Sequence, residues 1–98
     1  MNSMQHITYE QLQQIIVGGD DFLLLDVRED FERELFNIGG IHIPLAEVLN
    51  KAAAIPNNKP VIVYCRKGVR SQIAIQKLQE RFGYDNLINL QGGVEIAK

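Results

Sequence analysis

The sequence holds one cysteine, Cys65, and only two histidines, His6 and His42. One thiol closes no internal disulfide, which excludes a secreted disulfide framework. A dithiol redox cycle lacks its second sulfur. No His/Cys spacing suited to a metal is present, so no metal and no organic cofactor are expected. No apolar run approaches the roughly 20 residues needed to span a bilayer. Met1-Asn2-Ser3-Met4-Gln5-His6 has neither the basic nor the apolar segment of a signal peptide. These absences together lead us to expect a cytoplasmic protein. An excess of positive charge is missing as well: the formal net charge is −2. Neither nucleic acid nor a membrane is therefore expected as a partner.

What the sequence does have is an ordinary globular composition, with 46% hydrophobic and 22% charged residues. Its 98 residues suit a single domain over positions 1–98, and no repeat or linker interrupts them. His6-Ile7 reads as a first short strand. Thr8 follows as an N-cap with Gln11 as its capping-box partner, and Ile7 is placed to staple against Leu12. Leu12, Ile15 and Ile16 form a helical stripe that Gly18-Gly19 ends. Phe22-Leu23-Leu24-Leu25-Asp26-Val27 is apolar on both faces, as in a central parallel strand. Residues 28–36 read as a short helix or a loop, and Asn37-Ile38-Gly39-Gly40 as a turn. Ile41-His42-Ile43 is a short strand, after which Leu45, Val48, Leu49 and Ala52 suggest a helix. Residues 60–64 form another strand. A helix over 71–82 shows Ile75, Leu78 and Phe82 on one face, and residues 86–90 form the last strand. This alternation predicts an α/β fold: a small, mostly parallel five-stranded sheet flanked by helices on both faces.

The chemistry concentrates where Pro60-Val61-Ile62-Val63-Tyr64 runs into Cys65-Arg66-Lys67-Gly68-Val69-Arg70-Ser71. A thiol at the end of a strand, a glycine-containing basic loop and a helix start together favour a thiolate at neutral pH. Gly68 permits a tight path in which successive N–H groups point inward as an anion nest. Such a nest stabilises a thiolate or a persulfide. Arg66, Lys67 and Arg70 fall within five positions and suit a small anion such as thiosulfate. Asp26 also ends a strand, and ligands of parallel sheets sit at the carboxyl ends of their strands. The acidic run Glu29, Asp30, Glu32 and Glu34 reads as a solvated helix face, with Glu32 or Glu34 in reach of that rim. Tyr64 reads as packing, and His42 as a partner for a nearby backbone group. Gly92-Gly93 is either a plain turn or a close backbone approach beneath the loop.

Four segments in this order resemble the single-domain rhodanese family of sulfurtransferases. They are Leu24-Leu25-Asp26-Val27-Arg28-Glu29, Gly39-Gly40-Ile41-His42-Ile43-Pro44-Leu45, Val63-Tyr64 with the loop through Ser71, and Asn89-Leu90-Gln91-Gly92-Gly93. The resemblance covers nearly the whole chain. It is greatest to rhodanese modules attached to adenylating enzymes of cofactor sulfuration. It implies a rhodanese-like fold, with Cys65 as the nucleophile that carries sulfur as a persulfide. It implies a substrate cradle from Arg66, Lys67, Gly68, Val69, Arg70 and Ser71, with Arg70 orienting the loop and attracting anions. Asp26 and Arg28 would be supporting residues, Asp26 pairing with either Arg70 or Arg28. The donor would be thiosulfate or a protein persulfide, and the acceptor a biological thiol, or cyanide in assays. A non-enzymatic interaction module is the alternative. Phosphatase or arsenate-reductase chemistry uses Cys-x5-Arg, whereas this loop is Cys-x4-Arg, one residue shorter. The chain departs from many members in having no tryptophan after the terminal Gly-Gly and in carrying Asn37-Ile38-Gly39-Gly40.

Overall fold

The computed structural model describes residues 4–95. Five strands form one sheet in the order β1-β5-β4-β2-β3. They are β1 (Gln5–Ile7), β2 (Leu23–Asp26), β3 (Ile41–His42), β4 (Val61–Tyr64) and β5 (Leu87–Leu90). Every pairing is parallel. Three helices, α1 (Tyr9–Gly18), α2 (Asp30–Leu35) and α3 (Arg70–Phe82), complete the α/β architecture.

The strand period of two divides the core between the faces of the sheet. Val61 and Val63 of β4 point to the side covered by Ala74, Ile75 and Leu78 of α3. Ile62 and Tyr64 point to the side covered by Leu12 of α1. All four β4 residues have no exposed surface, which accounts for their unbroken apolar run. The α1 capping box forms as expected, with the Gln11 N–H donating to Thr8 Oγ1 at 3.0 Å and the Thr8 N–H to Gln11 Oε1 at 2.8 Å. Ile7 and Leu12 share one apolar cluster. Residues 28–36 resolve into the short α2.

Two expectations are corrected. The stretch 45–54 is not an α-helix but two 3₁₀ turns, Leu45–Glu47 and Ala52–Ala54. The Tyr84 hydroxyl lies 2.8 Å from the carbonyls of both Ala52 and Ile55. The segment is thereby pinned close to the sheet, and tight turns bring Val48, Ala52 and Ile55 into the core. Phe82 does not complete the buried stripe of Ile75 and Leu78. It is 52% exposed and stands in the last turn of α3 over a surface cleft shared with Leu49 and Tyr84.

Within the described residues no helix is long and apolar enough to cross a membrane. Met1–Ser3 and Ile96–Lys98 lie outside the described residues. The reading of the N-terminus as no signal peptide and most of the expected tail fall there.

Candidate active site

The register fixes the site's foundation. Asp26 of β2 lies beside Tyr64 of β4, so the next residue, Cys65, leaves the sheet at the same rim that carries the Asp26 carboxylate. Cys65 is 1% exposed. Its sulfur receives the Gly68 N–H at 3.1 Å and the Ser71 N–H at 3.4 Å. The Ser71 hydroxyl lies 3.5 Å from the same sulfur and donates to the Asn89 side-chain oxygen. Asn89 is fully buried on β5 and reaches His6 Nδ1 at 3.0 Å. Donors converging on one sulfur favour negative charge there, whether on a thiolate or on a sulfur bonded to it.

The loop can turn its N–H groups inward because its carbonyls are bonded behind it. The Val94 N–H donates to the Cys65 carbonyl at 3.0 Å and the Glu95 N–H to the Arg66 carbonyl at 2.9 Å. Gly68, at φ +93°, makes the inward turn, and Gln72 Nε2 holds its carbonyl at 2.8 Å. Of the two readings of Gly92-Gly93, the close approach is the one found. A Cβ on Gly93 would stand 2.3 Å from the Arg66 carbonyl oxygen.

In front of the sulfur lies a cleft of about 160 Å³, lined by Cys65, Arg66, Lys67, Val69 and Arg70. Its cations are not equally free. Arg70 makes a two-pronged pair with Glu32 of α2, NH1 to Oε1 at 2.6 Å and NH2 to Oε2 at 2.8 Å. Arg66 meets Glu95 at 3.2 Å in a half-exposed pair. Lys67 is exposed. The acidic run is thus more than a solvated face, because Glu32 reaches the rim.

The hydrogen bond from Arg70 holds the Glu32 carboxyl down to about 2, with burial opposing. The same bond raises Arg70. A carboxyl whose folded value is depressed stabilises the fold fully above its unfolded value of 4.5 and loses that contribution as the pH falls through about 2. Glu32→Gln should therefore flatten the fall in stability between those two pH values. Urea midpoints measured at several acidic pH values check this, and curves parallel to wild type would show that the pair adds nothing to stability.

Behind the cleft, Asp26 settles the open question of its partner. It binds Arg28 and not Arg70. Asp26 Oδ1 accepts from Arg28 Nε at 2.9 Å and from the Arg28 N–H at 3.0 Å, and Oδ2 accepts from Arg28 NH2 at 2.9 Å. Both residues are almost wholly buried, at 0% and 2% exposed. Burial alone would raise the Asp26 pKa; the bonds and charge of Arg28, helped by Arg33, outweigh it and hold the carboxyl below the usual range. The Arg28 guanidinium also lies 5.4 Å over the Tyr64 ring and donates to the Phe36 carbonyl at 2.6 Å. Arg33, which the sequence reading passed over, donates to Asp26 Oδ2 at 3.4 Å and to the carbonyls of Gly39 and Gly40 at 3.2 and 2.9 Å. Tyr64 is packed in the core and also donates its hydroxyl to the Gly39 carbonyl at 3.0 Å. His42 meets a backbone group, with Nε2 2.7 Å from the Arg28 carbonyl oxygen.

The family described as "Rhodanese-like domain" matches residues 8–96. A "Putative sulfur carrier protein" of Bacillus subtilis, YrkF, is 32% identical over 94 residues, covering 95% of this chain and 50% of that protein. The "Probable adenylyltransferase/sulfurtransferase" MoeZ of Mycobacterium tuberculosis is 29% identical over 91 residues, covering 90% of this chain and 23% of that protein. The chain therefore spans half of the first protein and under a quarter of the second. A crystal structure of a rhodanese-like domain protein from Staphylococcus aureus superposes with a TM-score of 0.84 at 25% identity, over 94% of this chain and 89% of that one.

Proposed function

The chain belongs to the rhodanese family, and from that premise we propose that it moves sulfur as a persulfide on Cys65. Relatives named as a sulfur carrier and a sulfurtransferase place sulfur transfer at the level of the family. The observation that carries the finer reading is the convergence of the Gly68 and Ser71 N–H groups on the Cys65 sulfur.

With thiosulfate as donor, the Cys65 thiolate attacks the outer sulfur. The new bond joins Cys65 Sγ to that sulfur, the old sulfur–sulfur bond breaks, and sulfite leaves with its electron pair. Three negative charges enter and three leave, so no oxidant is needed. The persulfide then passes its outer sulfur to a nucleophile, a thiol or cyanide, and Cys65 returns as thiolate. A protein persulfide is the alternative donor. The backbone from Arg66 to Ser71 cradles the charged outer sulfur, and the exposed Lys67 adds a cation at the lip. Asp26 and Arg28 support the rim from behind.

One feature favours a protein partner: Val69, an apolar side chain at the lip of the cleft, is 61% exposed. Against an oxyanion-cleaving enzyme, the Arg70 fork is already filled by a carboxylate.

The test is the intact mass of reduced protein before and after thiosulfate or a cysteine desulfurase with cysteine, and again after cyanide. The expected result is a gain of one sulfur, lost to cyanide as thiocyanate, with no gain in Cys65→Ser. No gain from either donor would overturn the proposal and favour an interaction module.

A further inference from the structure

We propose that Glu32 sets which donors the cleft accepts, by occupying Arg70 and so disfavouring small free anions at Cys65. The inference rests on the reading of Cys65 as the sulfur-accepting thiol. Two guanidiniums line the cleft, Arg66 and Arg70, and the planar fork of Arg70, the less exposed of the two, matches the oxygens of a sulfonate or carboxylate. Both of its terminal nitrogens are bonded to the Glu32 oxygens. The Glu32 side chain is 14% exposed and that of Arg70 32%, so water screens the pair incompletely. Arg70 lines the same cleft as Cys65. An incoming dianion therefore meets the cysteine thiolate, the Glu32 carboxylate and the Arg70 guanidinium, whose sum is negative, while Arg66 adds no net charge because Glu95 pairs it. Lys67, on the exposed lip, offsets this weakly because solvent screens it.

Glu32 is held for this task by its own helix. It is the third residue of α2, and its Oε1 accepts the Glu29 N–H at 3.1 Å in a capping box. A glutamine keeps that box and keeps one hydrogen bond to Arg70. Glu32→Gln therefore removes the charge with little change of shape. Acting through Arg70, Glu32 is a positioning residue, and its signature is a change in charge preference rather than a uniform change in rate.

Alkylation of reduced Cys65 reads that preference without any sulfur transfer. Iodoacetate and iodoacetamide have nearly the same shape and differ by one negative charge, and the ratio of their rates cancels the reactivity of the thiolate. In Glu32→Gln the iodoacetate-to-iodoacetamide ratio should rise about threefold. For the dianion thiosulfate, which feels twice the charge, kcat/KM should rise about tenfold, mostly through KM. Both gains should vanish in Glu32→Gln/Arg70→Gln, since they act through Arg70. An unchanged ratio, an unchanged or lower thiosulfate kcat/KM in a protein that takes up sulfur, or gains that survive loss of Arg70 would each overturn the proposal. If the ratio rises while neither protein takes sulfur from any donor, the persulfide reading falls and Glu32's control of anion access stands.

Discussion

Gly93→Ala is expected to cost the fold about 2–5 kcal/mol and to abolish sulfur uptake at Cys65. Two separate costs meet at this position. Its φ of +65° lies in the left-handed region, where an L side chain costs about 1–2 kcal/mol. The added Cβ would also stand 2.3 Å from the Arg66 carbonyl oxygen and 2.4 Å from the Cys65 carbonyl oxygen. Those are backbone atoms held in place by the Val94 and Glu95 N–H groups, so the collision is relieved only by moving the loop, an overpacking cost of about 1–3 kcal/mol. Movement there withdraws the carbonyls from behind the loop and turns the N–H groups away from the sulfur. Gly92 is the internal control. It also has positive φ, +80°, yet a Cβ there meets nothing within 4 Å among the described residues, so Gly92→Ala should cost only about 1–2 kcal/mol and leave uptake intact. Urea unfolding and intact-mass uptake on the two variants decide the matter. Equal costs at both positions would show that the close approach is not what requires Gly93.

Much of this site was legible because its parts are local or periodic. Residues 60–65 announce a buried strand ending in a thiol, and Gly68 three positions on announces the inward turn. Parallel order then places Asp26 at the same rim without further information. The Thr8–Gln11 box was legible for the same reason, since both partners lie within one helical turn. What escaped were pairings set by tertiary position. Glu32 and Arg70 are 38 residues apart, and nothing in the spacing of charges distinguishes Glu32 from Glu34. Asn89 sits in a run read only as a strand, yet its side chain holds the Ser71 hydroxyl. Arg33 looked like one charge among many on a helix, because its two backbone acceptors and Asp26 converge only after α2 docks. The 45–54 segment failed for a different reason. Its apolar spacing of three and four residues fits an α-helix and successive 3₁₀ turns alike, and the Tyr84 hydroxyl near Ala52 and Ile55 is a long-range contact.

These long-range pairings share a direction. Asp26 holds Arg28 and Arg33; Arg33 belongs to α2, and α2 carries Glu32 to Arg70 at the mouth of the cleft. The buried carboxylate is thus linked to the cysteine loop at one remove, through a helix only six residues long. So short a helix has little stability of its own, and its buried residues are none. Hydrogen bonds from Arg33 and the two-pronged pair at Glu32 therefore do what an apolar face does elsewhere.

Asp26→Asn should consequently be the most damaging polar substitution in the protein, at about 3–5 kcal/mol. The asparagine keeps the size of the aspartate but loses its charge, and its NH2 group turns one of two acceptors into a donor facing a guanidinium. Arg28, 2% exposed, is then a buried cation without a counter-charge, and removing one partner of a buried pair costs more than removing both. Against a total stability of about 5–15 kcal/mol for a domain of this size, the loss is a large share of the whole. A second change separates the buried charge from mere loss of hydrogen bonds. Asp26→Asn/Arg28→Met deletes the cation and should recover part of the loss, by urea midpoint, whereas an effect confined to hydrogen bonding would make the double variant worse than the single. In the folded fraction of Asp26→Asn, α2 loses one anchor for Arg33, and the hold of Glu32 on Arg70 should slacken. Its iodoacetate-to-iodoacetamide ratio at Cys65 should then move toward that of Glu32→Gln. A ratio fixed at the wild-type value would show that Asp26 stabilises the fold without positioning Glu32.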